Sequence, residues 1–298
     1  MEQIQHVLPW VVQQQLLASG SQSQITLDDI FEALAVDIDV VASDANVSFL
    51  RGASLDMGSQ DRIAWVFQDA RFQSWFRSQD SAMLLIDASI TDEPMNSGLS
   101  YFAVSLAQVL RQMAVTSPMM FFCGYHTSPG DPVQGAIGIL RTLNSQLIPQ
   151  LESFSLAFFD SKSLDDLRQF DIFALCHLFQ GLLEQDQSSV FFIIVDEIAT
   201  YDTPHHSDDI RDLIHFLRDL TQKFNEECAQ NQRQTVLKIL MTCSTCSYNA
   251  RAWFLEDEVL TVPLDAHGQN QGFNELHISY HTQQLLDANV NDSGVDSA

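Results

Sequence analysis

From about residue 61 the chain alternates between two hydrophobic periods. Ile63, Val66, Phe67, Ala70 and Trp75 fall roughly on one face of a helix over 62–77. Met83-Leu84-Leu85-Ile86 is an unbroken apolar run ending at Asp87, which predicts a short buried strand. After a loop, a helix is expected from about Leu99 to Met113, then a second strand, Met119 to Cys123. Ile137, Leu140, Leu143, Leu147 and Ile148 mark an amphipathic helix. A single helix is expected over 164–183, with Leu167, Phe170, Leu178 and Leu182 among its apolar positions. Phe191 to Val195 predicts a third strand. Ser207 is placed to cap a helix over 208–224, whose apolar face is Ile210, Leu213, Ile214, Leu217 and Leu220. Val236 to Met241 predicts a fourth strand and Val259 to Leu264 a last one.

Strands that read as continuous apolar runs are buried on both faces, so helices must cover both. The expected fold is therefore α/β, a doubly wound, mostly parallel sheet flanked by helices. Its ligand crevice would lie at the C-terminal strand ends, which carry Asp87, Cys123, Asp196-Glu197 and Thr242-Cys243. Residues 1–60 read as a short helical lead-in. Val7 to Ala18 suggests one helix, and Thr26-Leu27-Asp28-Asp29 caps a second over Ile30 to Leu34. Ser43 to Gln60 is polar and Gly/Ser-rich, and is expected to be a loop. The core is placed at 61–265. Residues 266–298 form an extension whose acidic, polar tail, Asp287 to Ala298, is expected to be disordered.

Charge narrows the partners. The chain has 14 Lys plus Arg against 39 Asp plus Glu, a net charge of −25. Its three lysines, Lys162, Lys223 and Lys238, are scattered, and no Lys or Arg follows Arg251. Nucleic acid and anionic membrane surfaces need clustered cations and are not expected partners. The 20 Phe and 46% hydrophobic residues exclude a disordered acidic chain. The strongest apolar run, Val190 to Val195, is far short of the ~20 residues of a membrane span. The odd number of cysteines, five, and the lack of a basic N-terminal signal region point to a cytoplasmic protein with reduced thiols.

The best-formed motif is Phe191 to Glu197, five apolar residues and then two acids. A Walker B strand has this form: its Asp holds Mg²⁺ and its Glu polarises the attacking water. The bland alternative is a buried strand that ends in a polar loop. The matching phosphate loop should follow the first strand as G-x-x-x-x-G-K-[ST]. Here the chain runs from Asp87 through Asp92-Glu93-Pro94 to Ser97-Gly98-Leu99-Ser100. Leu99 stands where the Lys belongs, the first Gly is missing and the loop is long. Like charges ~4 Å apart cost about 4 kcal/mol at an effective dielectric of 20, so Asp87, Asp92 and Glu93 oppose a polyphosphate.

Other signals are weaker. Cys243 and Cys246 are spaced C-x-x-C, but two further zinc ligands at suitable spacing are missing. His205-His206 reads as a solvated turn. His277 and His281 are four apart in a segment that reads as strand. Cys123 near His126 lacks an orienting group for a thiol nucleophile. Arg141 and Arg251 could face a phosphate or pair with the surplus carboxylates, and the pairing is favoured.

Several segments in order resemble a family. They are Arg71-Phe72-Gln73-Ser74-Trp75-Phe76, the first strand, Met120-Phe121-Phe122-Cys123-Gly124-Tyr125-His126, Gly138 to Leu147, the Walker B-like strand, and Leu237 to Thr242. Over roughly 62–265 the chain resembles the NACHT-type P-loop NTPase core of STAND proteins, in the form common in fungal genomes, with a degenerate Walker A motif. The missing Lys and the acidic loop favour a non-catalytic domain, an intracellular interaction or regulatory module with no cofactor. Its partners would be other proteins, among them a STAND or NACHT relative. The alternative is an atypical NTPase that binds Mg-ATP or Mg-GTP. The resemblance then implies Asp196 and Ser100 as Mg²⁺ ligands, Glu197 as the residue that activates water, and Ser97, Gly98, Ser100 and Thr242 around the nucleotide, with Arg141 or Arg251 replacing the Lys.

Overall fold

The computed structural model describes residues 25–52, 54–88, 97–186, 189–245, 249–266 and 280. The expected helix at Val7 to Ala18, the loop acids Asp92 and Glu93, Cys246, the pair His277 and His281, and the tail Asp287 to Ala298 lie outside them.

Five strands form one all-parallel sheet: β1 Ala82–Asp87, β2 Thr116–Phe122, β3 Val190–Asp196, β4 Val236–Cys243 and β5 Val259–Thr261. Their spatial order is β2-β3-β4-β1-β5. This is an α/β architecture consistent with the P-loop NTPase-like fold expected from the sequence. The chain crosses from β1 to the edge at β2 and then returns through β3 and β4; because all the strands are parallel, the loops that follow β1, β3 and β4 gather at one end.

Side chains alternate across each strand. Met83, Leu85, Ile193, Val195, Ile239 and Met241 enter one core, and Leu84, Ile86, Phe192, Ile194 and Leu240 enter the other. The first core is closed by α1 (Leu27–Leu34), α6 (Gly135–Leu147), α7 (Ser161–Arg168), α8 (Ile172–Leu183) and α9 (Ser207–Ala229). The second is closed by α3 (Met57–Gln68), α4 (Ala70–Arg77) and α5 (Gly98–Arg111), with Ala45 of α2 (Ile38–Gly52) at its margin. Edge strand β2 is sealed by one side chain. Gln146 of α6 accepts a hydrogen bond from Met120 N (2.9 Å) and donates to Met120 O (2.7 Å), which satisfies both outward backbone groups.

The structure corrects four expectations about local elements. Ser43 to Gln60 is not a loop: α2 runs through to Gly52, and α3 begins at Met57 behind the N-cap Asp56. The small polar residues serve packing here, since a Cβ on Gly52 would sit 1.8 Å from the Tyr101 ring of α5. The helix over 62–77 is two, parted at Asp69, whose carboxylate caps α4 through Arg71 N (2.7 Å). The helix over 164–183 is also two. Phe170 takes a left-handed conformation (φ 59°), and Asp171 caps α8 through Ala174 N (2.9 Å). Ser207 opens α9 rather than capping it; His206 holds the N-cap position and makes no side-chain cap bond. Among the described residues, no helix is long and apolar enough to cross a membrane.

Candidate functional site

Two strand ends and one helix start converge. The α5 helix begins at N-cap Ser97, whose Oγ accepts from Ser100 N (3.1 Å) and lies 3.0 Å from Ser100 Oγ. This first turn faces the end of β3. Ser100 Oγ donates to Asp196 Oδ2 at 2.6 Å, and Ser97 Oγ donates to Glu197 Oε1 at 3.0 Å. From the end of β4, Thr242 Oγ1 donates to Asp196 Oδ1 (2.6 Å) and Ser244 N donates to Glu197 Oε2 (3.2 Å). Thr242 Oγ1 also accepts from Glu197 N (3.0 Å). The sequence-predicted set Ser97, Gly98, Ser100, Asp196, Glu197 and Thr242 thus comes together, and each of the four carboxylate oxygens is matched to a donor of the chain.

The cluster is dry. Ser97, Ser100, Asp196, Glu197 and Thr242 are all buried, and Glu197 has no exposed surface. Burial pushes the Asp196 carboxyl up against the opposing bonds from Ser100 and Thr242. Burial also pushes Glu197 up, and the neighbouring Asp196 charge adds to it. Glu197 further sits in the left-handed region (φ 58°, ψ 46°). A non-glycine residue held there stores strain of about 1 kcal/mol, and such strain concentrates where the surroundings over-determine a geometry.

These raised values fix the sign of a pH dependence. The pair binds protons more tightly folded than unfolded. Its contribution to stability is full below the ordinary carboxylate range and is lost as pH rises through the raised folded values. We expect the melting temperature of the wild type to fall between about pH 5 and about pH 9, and that of Glu197→Gln to fall less. Above neutral pH the variant becomes the more stable by about 1 kcal/mol, or roughly 2–4 °C. Calorimetry of both proteins across that range checks this; parallel curves would show that Glu197 keeps its charge without penalty.

At the Lys position Leu99 is buried. Among the described residues, the hollow beside it is lined by Ser59, Arg62, Gly98 and Ser244 and offers about 10 Å³, the room of one water. Arg62, on α3, is the one Lys or Arg among the described residues that line this hollow, and its Nη2 reaches Ser59 Oγ at 3.1 Å. Sequence reasoning missed it because it precedes β1 and belongs to no motif. Arg141 takes neither role expected of it. It is buried, with Nε on Leu34 O (2.6 Å) and Nη2 on Ala35 O (2.7 Å), and its guanidinium lies 3.9 Å from the Phe170 ring centroid. It therefore pairs with carbonyls. Arg251 is an exposed side chain 3.6 Å from Asp87 Oδ2 and 3.0 Å from Thr261 Oγ1, so it pairs with a carboxylate as expected.

The described members of the lesser motifs are held in packing and hydrogen-bond contacts. Cys123 is fully buried, and burial with the Asp196 and Glu197 charges holds its thiol well above the usual range. His126 is turned away from it and locked between Asp44 and Asp131 at 3.0 Å each. His206 meets the Tyr201 ring edge-on, with ring centroids 5.1 Å apart. Among the described residues, no group of three or more His, Cys, Asp or Glu could hold a metal ion.

The family described as Nephrocystin 3, N-terminal matches residues 61–246, more than half of the chain. This chain belongs to that family. It is a NACHT-related, STAND-like region, and the match spans β1, the α5 start, the Asp196-Glu197 strand end and β4. Comparisons with curated proteins and with solved structures gave no match.

Proposed function

We propose that this chain is a NACHT-like domain that has kept the P-loop NTPase architecture, lost nucleotide chemistry, and works in the cytoplasm as an interaction or regulatory module for other proteins, a STAND or NACHT relative among them. One observation carries the reading: each carboxylate oxygen of the buried Walker B-like pair already accepts a hydrogen bond from the chain itself, from Ser97, Ser100, Thr242 or Ser244. Three features support it. Leu99 replaces the phosphate-loop cation, the adjoining hollow is water-sized, and Asp87 places a negative charge at the end of β1. No cofactor is needed for such a role.

A thermal-shift titration with Mg-ATP and with Mg-GTP tests it. A ligand at a hundred times its Kd adds about 2.7 kcal/mol to stability, a shift of several degrees. We expect no saturable shift with either nucleotide. A saturable rise that Asp196→Asn abolishes would overturn the reading.

The convergence itself favours a second reading, an atypical Mg-dependent NTPase. A hydroxyl at a helix N-terminus directly on a buried Asp, with a strained Glu beside it, is an arrangement that can hold a hydrated cation. Asp196 and Ser100 would then be the metal ligands, Glu197 would activate water, and Ser97, Gly98 and Thr242 would surround the phosphates. Arg62 is better placed than Arg141 or Arg251 to supply the missing positive charge.

A further inference from the structure

A second, larger cavity lies at the other end of the sheet order, where α2 crosses the C-terminal end of edge strand β2. Its volume is about 330 Å³, which is ligand-sized. The walls are apolar, formed chiefly by Val36, Val40, Phe121 and Val133. One end is polar. There His126 Nε2 meets Asp44 Oδ2 and His126 Nδ1 meets Asp131 Oδ2, each at 3.0 Å. Asp131 spends its other oxygen on Val133 N (2.9 Å). Among the described residues, no hydrogen bond reaches Asp44 Oδ1.

The charges around this space do not balance, even with Arg141 behind it on the carbonyls of Ala35 and Pro132. Asp37, Asp44 and Asp131 line it, and no Lys or Arg does. His126 supplies at most one positive charge. Burial alone would lower its basicity, but the bonds to Asp44 and Asp131 outweigh that and raise it above the usual imidazole range. With His126 protonated, the lining still carries an excess of negative charge. An anion is repelled by it, and an uncharged apolar guest would leave the Asp44 oxygen desolvated without a donor. A guest with an ammonium group satisfies that oxygen by a charge-assisted bond and fills the apolar space with the rest of its body.

We infer that this cavity is a binding site for a small organic amine, its ring-sized apolar body against Val36, Val40 and Phe121 and its ammonium on Asp44. The site is independent of the nucleotide question, because none of its lining residues belongs to the Ser97–Glu197 cluster. It also has a structural consequence. Asp44 belongs to α2 and His126 to the loop after β2, so an occupant bridges the lead-in helix and the core sheet. Ser48 and Arg51, which reach Tyr125 Oη at 3.1 and 3.3 Å, already span the same junction.

Calorimetric titration of the full chain with tryptamine and with tryptophol tests this, since the two share an indole body and differ in the ammonium. Tryptamine is expected to bind saturably and tryptophol at least about tenfold more weakly. Asp44→Asn should weaken tryptamine by about tenfold or more and leave tryptophol unchanged. Because Asp44 also holds His126, a second variant guards against misfolding: Val40→Trp, at the exposed rim, fills the space while keeping the His126 bonds, and should abolish binding. The inference falls if tryptamine shows no saturable binding up to about 10 mM, if both compounds bind alike, or if Val40→Trp binds as the wild type does. It also falls if light scattering shows a dimer that Val40→Trp dissociates, since a second copy would then cover the cavity.

Discussion

Replacing Arg141 by Ala is expected to lower stability by about 4 kcal/mol, or roughly 10 °C in melting temperature, without altering any response to Mg-nucleotide. The reason is local. The α1 helix ends at Ala35, which adopts a left-handed conformation (φ 47°) and leaves terminal carbonyls without intrahelical partners. Arg141 reaches across from α6 and donates to Leu34 O and Ala35 O, while a third bond goes to Pro132 O. Truncation takes the donor from three carbonyls, Leu34 O in a buried residue and Ala35 O and Pro132 O in exposed ones, at about 1–3 kcal/mol for each that water fails to reach, and removes the buried arginine's packing on Phe170. Lys at this position should recover only part of the loss, because one ammonium cannot copy the planar fork. Urea unfolding of Arg141→Ala, Arg141→Lys and wild type gives the ranking. A phosphate-facing Arg141 would behave otherwise: the Ala variant would match the wild type in stability and differ only when nucleotide is added.

That arginine shows where the sequence stops being informative. The strands were legible because a strand buried on both faces has to be a continuous apolar run; β1 and β3 are such runs, and β4 is one but for Lys238. The acidic end of β3 was legible for the same reason, since Asp196 and Glu197 are the first polar residues after one. Its meeting with Thr242 followed from the rule that a parallel sheet gathers its C-terminal ends, and its meeting with Ser97 and Ser100 from the resemblance of that segment to a phosphate loop. Breaks inside amphipathic segments were less visible. The breaks are short, one residue at Asp69 and three at 169–171, and whether an Asp caps a new helix or rides on a continuing one depends on backbone angles that the hydrophobic pattern does not record. Ser43 to Gln60 was misread because its small polar residues suit a loop and a close helix contact equally well.

Pairings between distant cations and backbone carbonyls were illegible in principle. Arg141 lies more than a hundred residues from Leu34, and nothing in either segment marks the match. Asp44 and His126 are likewise 82 residues apart. Arg62 comes near the Gly98 turn only because α3 packs across the start of α5. Each of these contacts depends on the tertiary arrangement rather than on a motif, so each appears only once the sheet order is known.

Lys238 is the other residue whose removal should be felt strongly. It occupies a position in the middle of the sheet where its neighbours across the register are Phe192 and Ala82. It is buried, yet its Nζ donates to Trp75 O (2.8 Å), in the last turn of α4, and to Asp80 O (2.6 Å), just before β1. The lysine thus ties α4 and the approach to β1 onto β4. Burial lowers its basicity to about 8, with Asp80 opposing. Lys238→Ala is expected to cost about 4 kcal/mol near neutral pH: the buried stem is worth about 0.8 kcal/mol per methylene, and two carbonyls lose their donor. Lys238→Met, which keeps the stem, should recover much of this loss. The sign of the pH effect follows from the lowered value. Between about 8 and the unfolded value of 10.5 the unfolded chain holds more protons at this site than the folded one, so wild-type stability rises with pH over that interval. Both variants lack that rise. The gap between wild type and Lys238→Ala should therefore widen from about pH 8 to about pH 10, measured by urea unfolding at matched ionic strength. A constant gap would mean that the ammonium is solvated in the folded protein, and a loss below about 1 kcal/mol would mean that water replaces it at both carbonyls.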